Sequence, residues 1–311
     1  MIHNTVFILG AGASRPYGFP SGRELREQIC SDHIVDCQAF LGANARIKEA
    51  NPQEIGKAED FVDTFHKSSI KSIDLFLARN PEFSNRGKRA IIFRILKAEQ
   101  ESGFREETPH KHQDWYSWLF ERLTEELVRK EDYIRFSENN VSFITFNYDR
   151  SLEHFLYESM LNSFNGVGTD KVIEQVNTIG VFHVYGKVAP LEWQSGVDSV
   201  EYGMDLRHTN VEELRKNLRI VYEQGLNPEL EKAQEIIKKA GRIFFLGFGY
   251  AIENLDALNI PETLRSEHAV FGTALGLSER ERKIVESGLK HSAERVTLED
   301  MDCLTLLRRY L

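Results

Sequence analysis

A glycine-rich turn follows the first apolar segment of the chain. Residues 5–9 are β-branched, aromatic or aliphatic, and Gly10 and Gly12 come directly after them. A short, continuously apolar run is typical of a strand that is buried on both faces of a parallel sheet. Glycines after such a strand let backbone N–H groups approach a phosphate at the start of a helix. The full dinucleotide-binding pattern is interrupted because Arg15 stands where the third glycine belongs, and glycine turns also occur for packing reasons.

Polar side chains follow the next strand-like segment. Residues 141–146 are rich in β-branched and aromatic types, and Asn147 and Asp149 come directly after them. Because ligands of open α/β sheets bind at the carboxyl ends of the strands, both side chains are expected to face a crevice. The alternative is that one of them only caps the helix predicted over about 150–160. These residues by themselves leave the two interpretations equally open.

A histidine and a tyrosine lie close to the end of a third predicted strand. This strand covers about 178–182, and it is followed by His183, Tyr185 and Gly186. Histidine is the one side chain that ordinarily titrates near neutral pH, so it is a candidate general base, although a lone histidine is more often structural. Residues two apart on a strand share a face, so His183 and Tyr185 are expected to point the same way.

A second glycine-rich turn follows a fourth strand. Residues 242–246 form another apolar run, Gly247 and Gly249 come next, and Asn254 lies downstream. Two glycine turns at strand ends of one sheet are more than packing usually requires. Together the two turns predict a ligand with phosphate groups at this edge of the sheet.

The elements that must position these residues alternate along the chain. Strand patterns occur at 5–9, 141–146, 178–182, 242–246 and 269–271, and helix patterns at about 150–160, 211–218, 228–240 and 278–288. Such alternation is typical of βαβ units. It predicts an α/β fold with a Rossmann-like parallel sheet and helices on both faces.

The segment 45–135 has a different character. It is rich in charged residues, and its apolar residues recur at helical spacing, as in the series from Trp115 through Leu119 to Leu123. We predict a mostly helical insert or subdomain over 45–135, and a Rossmann-like domain formed by 1–44 and 136–311. Ser72 and Asp74 are interpreted as a helix cap inside the insert.

A basic interval runs from Lys67 to Lys97 within this segment. We interpret it as a solvated helical face, with an interface to a partner as the second interpretation.

Composition limits the class of protein. The chain has 311 residues, a hydrophobic fraction of 41%, and 48 acidic against 39 basic side chains, which gives a net charge of −9. This apolar content excludes global disorder, and the acidic charge disfavours a broad electrostatic grip on nucleic acid. The three cysteines, Cys30, Cys37 and Cys303, form no C-x-x-C pair, and no apolar stretch reaches the length of a membrane span. We therefore expect a cytoplasmic protein with no zinc and no membrane segment.

Taken in order, these motifs resemble those of the sirtuin-like domains of bacterial anti-phage defence systems. The matching stretches are 7–22, 72–77, 145–149, 183–186, 247–254 and 272–278. Each motif is only modestly specific, but their occurrence in order over most of the chain makes the resemblance strong.

The resemblance implies an NAD-binding domain that cleaves the nicotinamide N-glycosidic bond. It implies that Asn147 contacts the nicotinamide ribose and places the attacking water, that Asp149 supports these contacts, and that a histidine acts as base toward a ribose hydroxyl. It also implies a set of residues that hold NAD. These are Gly10, Gly12, Ala13, Ser14, Gly22, Gly186, Gly247, Gly249 and Asn254.

The sequence departs from the sirtuin pattern at two points. Sirtuin deacylases carry a zinc module of paired cysteines, which this chain cannot build, so the resemblance favours NAD hydrolysis over deacylation. The family's histidine stands directly before a glycine, whereas here Tyr185 precedes Gly186 and the available imidazole is His183. Either His183 or Tyr185 therefore takes the catalytic position of that histidine.

The function that the resemblance implies is NAD⁺ hydrolysis to nicotinamide and ADP-ribose, which depletes NAD⁺ during phage infection. Such an activity needs restraint, so regulation by homo-oligomerisation or by a HerA-like ATPase partner is expected. The alternative is a non-catalytic module that binds NAD or ADP-ribose and regulates its partner. Tyr185 at the histidine position is the feature that favours this alternative.

Overall fold

A computed structural model describes residues 1–31, 52–102, 114–194, 198–205, 210–223 and 227–311. Its strands are β1 (Thr5–Leu9), β2 (Val141–Thr145), β3 (Gly180–His183), β4 (Arg242–Leu246), β5 (Ala269–Thr273) and β6 (Arg295–Glu299). They form one six-stranded sheet in the order β3-β2-β1-β4-β5-β6, and all paired neighbours are parallel. The sheet grows from β1 first on one side, through β2 and β3, and then on the other side, through β4, β5 and β6, as in Rossmann-like sheets. The predicted α/β class is confirmed.

Helices connect these strands. They are α1 (Ala11–Ser14), α2 (Gly22–Ser31), α3 (Pro52–Ser68), α4 (Ile73–Arg79), α5 (Ser84–Glu101), α6 (Trp115–Thr124), α7 (Ser151–Ser163), α8 (Thr169–Val176), α9 (Val211–Leu214), α10 (Pro228–Lys239), α11 (Ile252–Ala257), α12 (Glu279–Lys290) and α13 (Cys303–Tyr310). Short 3₁₀ turns occur at Arg15–Tyr17, Pro81–Phe83, Lys130–Glu138 and Arg215–Asn217.

The centre of the sheet is built from aromatic rings. Phe7 of β1 pairs in register with Phe143 of β2 and Phe244 of β4, and all three side chains are fully buried. The ring of Phe7 lies 5.0 Å from that of Phe143 and 5.5 Å from that of Phe244, measured between centroids. Offset ring contacts of this kind add to the hydrophobic gain of burial. These ring contacts hold together β1, β2 and β4, the three strands whose carboxyl ends carry Gly10, Asn147 and Gly247.

The described residues of the predicted insert are helical and share the core of the sheet. Trp115, Leu119 and Leu123 of α6 are buried, as their spacing predicts, and the Trp115 indole N–H donates to the carbonyl of Ala13 at 2.9 Å. Ser72 accepts from the backbone N–H of Leu75, which confirms the predicted helix cap. The boundary at 44–45 lies outside the described residues, so the division into two domains stays a prediction.

The basic interval is not simply a solvated face. Lys88 and Arg94 of α5 are buried, at 7% and 5% exposure, which contradicts the solvated interpretation for these two residues. Their aliphatic stems pack in the protein while their heads reach oxygen acceptors: Lys88 Nζ lies 2.9 Å from Glu223 Oε2, and Arg94 donates to the carbonyl of Gln28.

Two of the three cysteines lie in the described residues. Cys30 and Cys303 are buried free thiols, and Cys37 lies outside the described residues. Within the described ranges, every helix is too short or too polar to traverse a lipid bilayer.

Candidate functional site

A cavity of about 460 Å³ opens at the carboxyl ends of the central strands. This volume falls within the range of about 300–1,000 Å³ that ligand pockets occupy. The cavity lies between the ends of β1 and β4, where the strand order reverses, and open α/β sheets bind ligands at such a point. The residues that line it are Gly10, Ala11, Gly12, Arg15, Pro16, Ser21, Gly22, Ser72, Asp74, Phe146, Asn147, Tyr185, Gly247, Phe248, Gly249, Ala251, Glu253, Asn254, Thr273, Leu275, Met301, Asp302 and Cys303.

The two glycine turns touch each other at the cavity wall. A Cβ atom on Gly10 would lie 2.6 Å from the carbonyl oxygen of Gly247, and one on Gly12 would lie 2.8 Å from it. The Gly12 N–H donates to that oxygen at 3.0 Å. Gly247 has φ +56°, and a Cβ there would lie 2.0 Å from the backbone nitrogen of Ala13. These glycines are therefore required for the close approach of the two turns, and they also line the cavity.

Asn147 is held rigidly at the cavity wall. Its Nδ2 donates to the carbonyl of Gly10 and to Oγ of Ser14, both at 3.0 Å. The Gly10 carbonyl can only accept, which fixes the orientation of the amide. Both amide hydrogens are thus used, and no group in the described part of the chain donates to Oδ1. The Asn147 side chain therefore offers the cavity an acceptor oxygen at a fixed position.

Asp149 lies behind this asparagine, away from the cavity lining. It is buried and accepts hydrogen bonds from both the backbone N–H and the hydroxyl of Ser151, at the start of α7. Burial raises the pKa of Asp149, and the hydroxyls of Ser151 and Ser14 oppose that rise. Asp149 thus bonds to the first residue of α7, although the N-cap of this helix is Arg150, whereas Asn147 lines the cavity. Through Ser14, Asp149 also supports the orientation of Asn147.

His183 also lies behind the wall, and it is not among the described residues that line the cavity. Its Nδ1 lies 3.0 Å from the carbonyl oxygen of Asn147, and its Nε2 lies 2.9 Å from Oε1 of Glu153. Burial alone would raise the pKa of Glu153, but Lys187 and His183 more than offset this and hold its pKa well below the usual range. His183 is therefore tied between a backbone acceptor and a charged carboxylate.

Tyr185 reaches the cavity and His183 does not, so the prediction that the two side chains point the same way is wrong. The reason is that β3 ends at His183, and Tyr185 lies in the turn after it. The Tyr185 hydroxyl donates to Oδ1 of Asn254 at 3.0 Å, and its ring lies edge-on to Phe146 with 5.4 Å between centroids. Burial, and then the negative charge of Asp74, raises the pKa of Tyr185. The hydroxyl therefore stays protonated at neutral pH. Asn254, which is predicted to hold NAD, lines the cavity as well.

The remaining predicted residues divide into two groups. Gly22 and Gly249 line the cavity, and a Cβ at either would meet no atom within 4 Å. Ala13, Ser14 and Gly186 do not line it. Gly186 has φ +75°, and a Cβ there would lie 1.8 Å from the carbonyl oxygen of Asn217, so packing accounts for this glycine.

Charged residues that were not predicted for the site also line the cavity. The carboxylates are Asp74, Glu253 and Asp302, and the cation is Arg15, which pairs with Glu24 at 2.7 Å. Burial raises the pKa of Asp74 to about 6, although a hydrogen bond from the Tyr148 hydroxyl opposes the rise.

The far end of the cavity contains the start of α13. Asp302 caps this helix by accepting from the backbone N–H of Thr305 at 2.9 Å. Cys303 follows, and burial raises the pKa of its thiol to about 12, so it is not a nucleophile at neutral pH. An aspartate before an apolar run is a sequence signal for such a cap. It gave no prediction here because the preceding strand, β6, was not predicted.

Comparisons with known proteins gave matches to solved structures only. No protein-family model and no curated protein matches the sequence. The solved structures that are similar include Sir2Tm bound to a propionylated peptide (14% identity, TM-score 0.43, covering 98% of this chain and 90% of that one). They also include a Sir2 homologue–NAD complex (12%, 0.44, 98% and 86%) and a mutant Sir2 homologue with 2'-O-acetyl ADP-ribose (13%, 0.46, 98% and 89%).

Proposed function

We propose that the protein is an NAD⁺ hydrolase that releases nicotinamide and ADP-ribose. One observation carries the proposal: Asn147 presents a fixed acceptor oxygen to a cavity at the carboxyl ends of β1, β2 and β4. An acceptor in this place can orient a ribose hydroxyl or a water molecule. The order of motifs along the chain, which resembles that of sirtuin-like NAD hydrolases, supports NAD⁺ as the molecule bound there.

The reaction needs few groups from the protein. Nicotinamide leaves as a neutral molecule from a cationic nucleotide, so positive charge develops on the ribose, as in glycoside hydrolysis. The site must hold the ribose, stabilise this cation and supply a water molecule. Fixed acceptors such as Asn147 Oδ1 serve the first and third needs, because they require no rearrangement when the reaction occurs.

His183 acts in this proposal through Asn147. Its ring holds the Asn147 carbonyl from behind the cavity wall and is itself anchored by Glu153. We propose that it positions Asn147 and does not contact the ribose. Tyr185, whose hydroxyl is engaged with Asn254, is proposed to border the same end of the cavity as Asn147.

The test is NAD⁺ consumption by the purified protein, with nicotinamide release followed by chromatography. Asn147→Ala should lower turnover by about 10²-fold or more, the scale of losing one oriented polar group in an active site. Asn162→Ala is the matched control, because Asn162 is exposed and bonds only within α7. Turnover equal in the wild type and Asn147→Ala would refute the assignment of this site.

A second candidate is a module that binds NAD or ADP-ribose without cleaving it. It is favoured by one observation: no imidazole lines the cavity in the described part of the chain. Tight NAD⁺ binding by calorimetry together with no nicotinamide release would select this candidate.

We also propose that the activity acts in anti-phage defence, in a homo-oligomer or with a HerA-like ATPase. The motif resemblance supports this cellular role. Infected cells that express the wild type should lose NAD⁺, and cells that express Asn147→Ala should retain it.

A further inference from the structure

The proposed hydrolysis needs a general base, and no residue has yet been assigned to this role. A water molecule that attacks the ribose must lose a proton, and in this cavity neither His183 nor Tyr185 is arranged to take it. His183 lies behind the wall, and the Tyr185 hydroxyl donates to Asn254. The cavity carboxylates are the remaining bases among the described residues.

Asp302 caps α13, and its carboxylate is already hydrogen-bonded there. Both of its carboxylate oxygens accept from Thr305, one from the backbone N–H and one from the hydroxyl, each at 2.9 Å. It lies with Thr273 and Cys303 at the β5 and β6 side of the cavity, away from Asn147.

Asp74 is arranged differently. It is half-buried in the first turn of α4, and the Tyr148 hydroxyl donates to its Oδ1. The charge of Asp74 also acts on Tyr185, whose ring packs against Phe146 directly before Asn147, so Asp74 lies toward this end of the cavity. Asp74 lines the cavity, its own backbone N–H also donates to the carboxylate, and no other side chain in the described ranges donates to it.

We propose that Asp74 is the general base of this site and takes the proton of the water that attacks the nicotinamide ribose. The inference rests on the proposed hydrolase function. In the step, the water oxygen forms a bond to C1′ while the bond from C1′ to the nicotinamide nitrogen breaks. The bonding pair goes to nicotinamide, which leaves neutral, and the water proton goes to Asp74 Oδ2 and then to solvent.

The surroundings of Asp74 suit a base that works near neutral pH. The groups that face it are Tyr148 after β2, Tyr185 after β3 and Glu253 on α11. Burial, opposed by Tyr148 and assisted by Glu253, raises the pKa of Asp74 to about 6. A base is most effective when its pKa lies near the working pH. In its ionised form, the same carboxylate also attracts the developing ribosyl cation.

The experiment compares kcat and kcat/KM for NAD⁺ in the wild type and in Asp74→Asn from pH 5 to pH 8.5. The wild type should lose activity as the pH falls through about 6, because the protonated carboxyl cannot accept a proton. Asp74→Asn keeps the shape and the contact with Tyr148, so NAD⁺ binding measured by calorimetry should stay within about threefold. Its kcat should fall by about 10²-fold or more, the usual contribution of a general base.

Two further variants separate a base from a structural residue. Tyr148→Phe removes a hydrogen bond that favours the charged carboxylate. The loss of activity at low pH, called the acid limb, should therefore move to higher pH, while the rate at pH 8.5 is largely kept. Glu82→Gln removes an exposed carboxylate from the neighbouring 3₁₀ turn. It should leave both the pH of the acid limb and the turnover rate unchanged.

The outcomes distinguish this inference from the proposed function. If the wild type releases no nicotinamide, the hydrolase function fails and Asp74 has no reaction to serve. If the wild type releases nicotinamide but Asp74→Asn keeps its rate and its acid limb, the hydrolase stands and the role of Asp74 is refuted. If Asp74→Asn loses NAD⁺ binding in proportion to its rate, Asp74 is a binding residue and the inference is again wrong.

Discussion

Arg150 is a fully buried charge whose removal has a large expected effect on stability. The side chains of Arg150 and Glu99 are both 0% exposed and form a two-pronged ion pair with N–O distances of 2.9 Å. The guanidinium also donates to the backbone carbonyls of Pro190, Val200 and Glu201. One side chain thus holds α5 and the loop after β3 against the start of α7.

The cost of Arg150→Met follows from these contacts. It leaves Glu99 buried without its cation and three carbonyls without their donor. Removing one partner of a buried ion pair costs about 3–5 kcal/mol, because the remaining charge is uncompensated. We therefore expect the free energy of unfolding to fall by about 3–5 kcal/mol, measured by urea denaturation at pH 7.5. Arg122→Met, which breaks an exposed pair with Glu125, is the matched control and should cost less than about 1 kcal/mol.

The pH dependence of the variant gives a second readout. Burial raises the pKa of Glu99 even beside Arg150, and loss of the cation must raise it further. A carboxyl whose pKa is higher in the folded state binds more protons there, so the stability of Arg150→Met should rise as the pH falls from 8 to 5.5. The double variant with Glu99→Met should regain part of the loss and show no such rise. A cost below about 1 kcal/mol for Arg150→Met would refute the buried ion pair.

Two further predictions concern the site. Gly247→Ala should lower the free energy of unfolding by at least about 2 kcal/mol, because its φ is +56° and its Cβ would clash with the turn at Gly12. Gly249→Ala is the control and should change this free energy by less than about 0.5 kcal/mol in the same urea assay. His183→Gln should lower kcat by about 10- to 10²-fold through displacement of Asn147 while the acid limb near pH 6 remains. Disappearance of that limb in His183→Gln would instead make His183 the base.

Much of the fold could be predicted because buried parallel strands have a plain signal. The segments 5–9 and 242–246 match β1 and β4, and the helices predicted at 228–240 and 278–288 match α10 and α12 within about two residues. β6 (Arg295–Glu299) was missed. It is an edge strand with an exposed Arg295 and polar residues alternating with Val296 and Leu298, so it lacks the continuous apolar run of the central strands.

The site was predictable only in part, because a strand end identifies which residues reach an edge and not which way they turn. Asn147 and Tyr185 face the cavity, whereas His183 is turned toward Glu153, a residue of α7 that gives no local sign of this contact. Asp74 comes from a helix far away in sequence, where its position in the first turn looked like capping. Its place in the cavity lining is a tertiary feature that no local sequence pattern signals.

The glycines of the two turns are ambiguous as a phosphate signature for a physical reason. Gly10 and Gly12 are required because the turn at Gly247 lies within contact distance of their Cα atoms, whatever ligand binds. That contact, however, lets the ends of β1 and β4 come together without side chains between them, which leaves a crevice bordered by backbone. A backbone-lined crevice at the point where the strand order reverses is what a phosphate-containing ligand needs. Packing and binding are therefore two consequences of the same glycines. Gly249 differs from them, because it lines the cavity while a Cβ there would meet no atom within 4 Å, so packing does not explain this glycine.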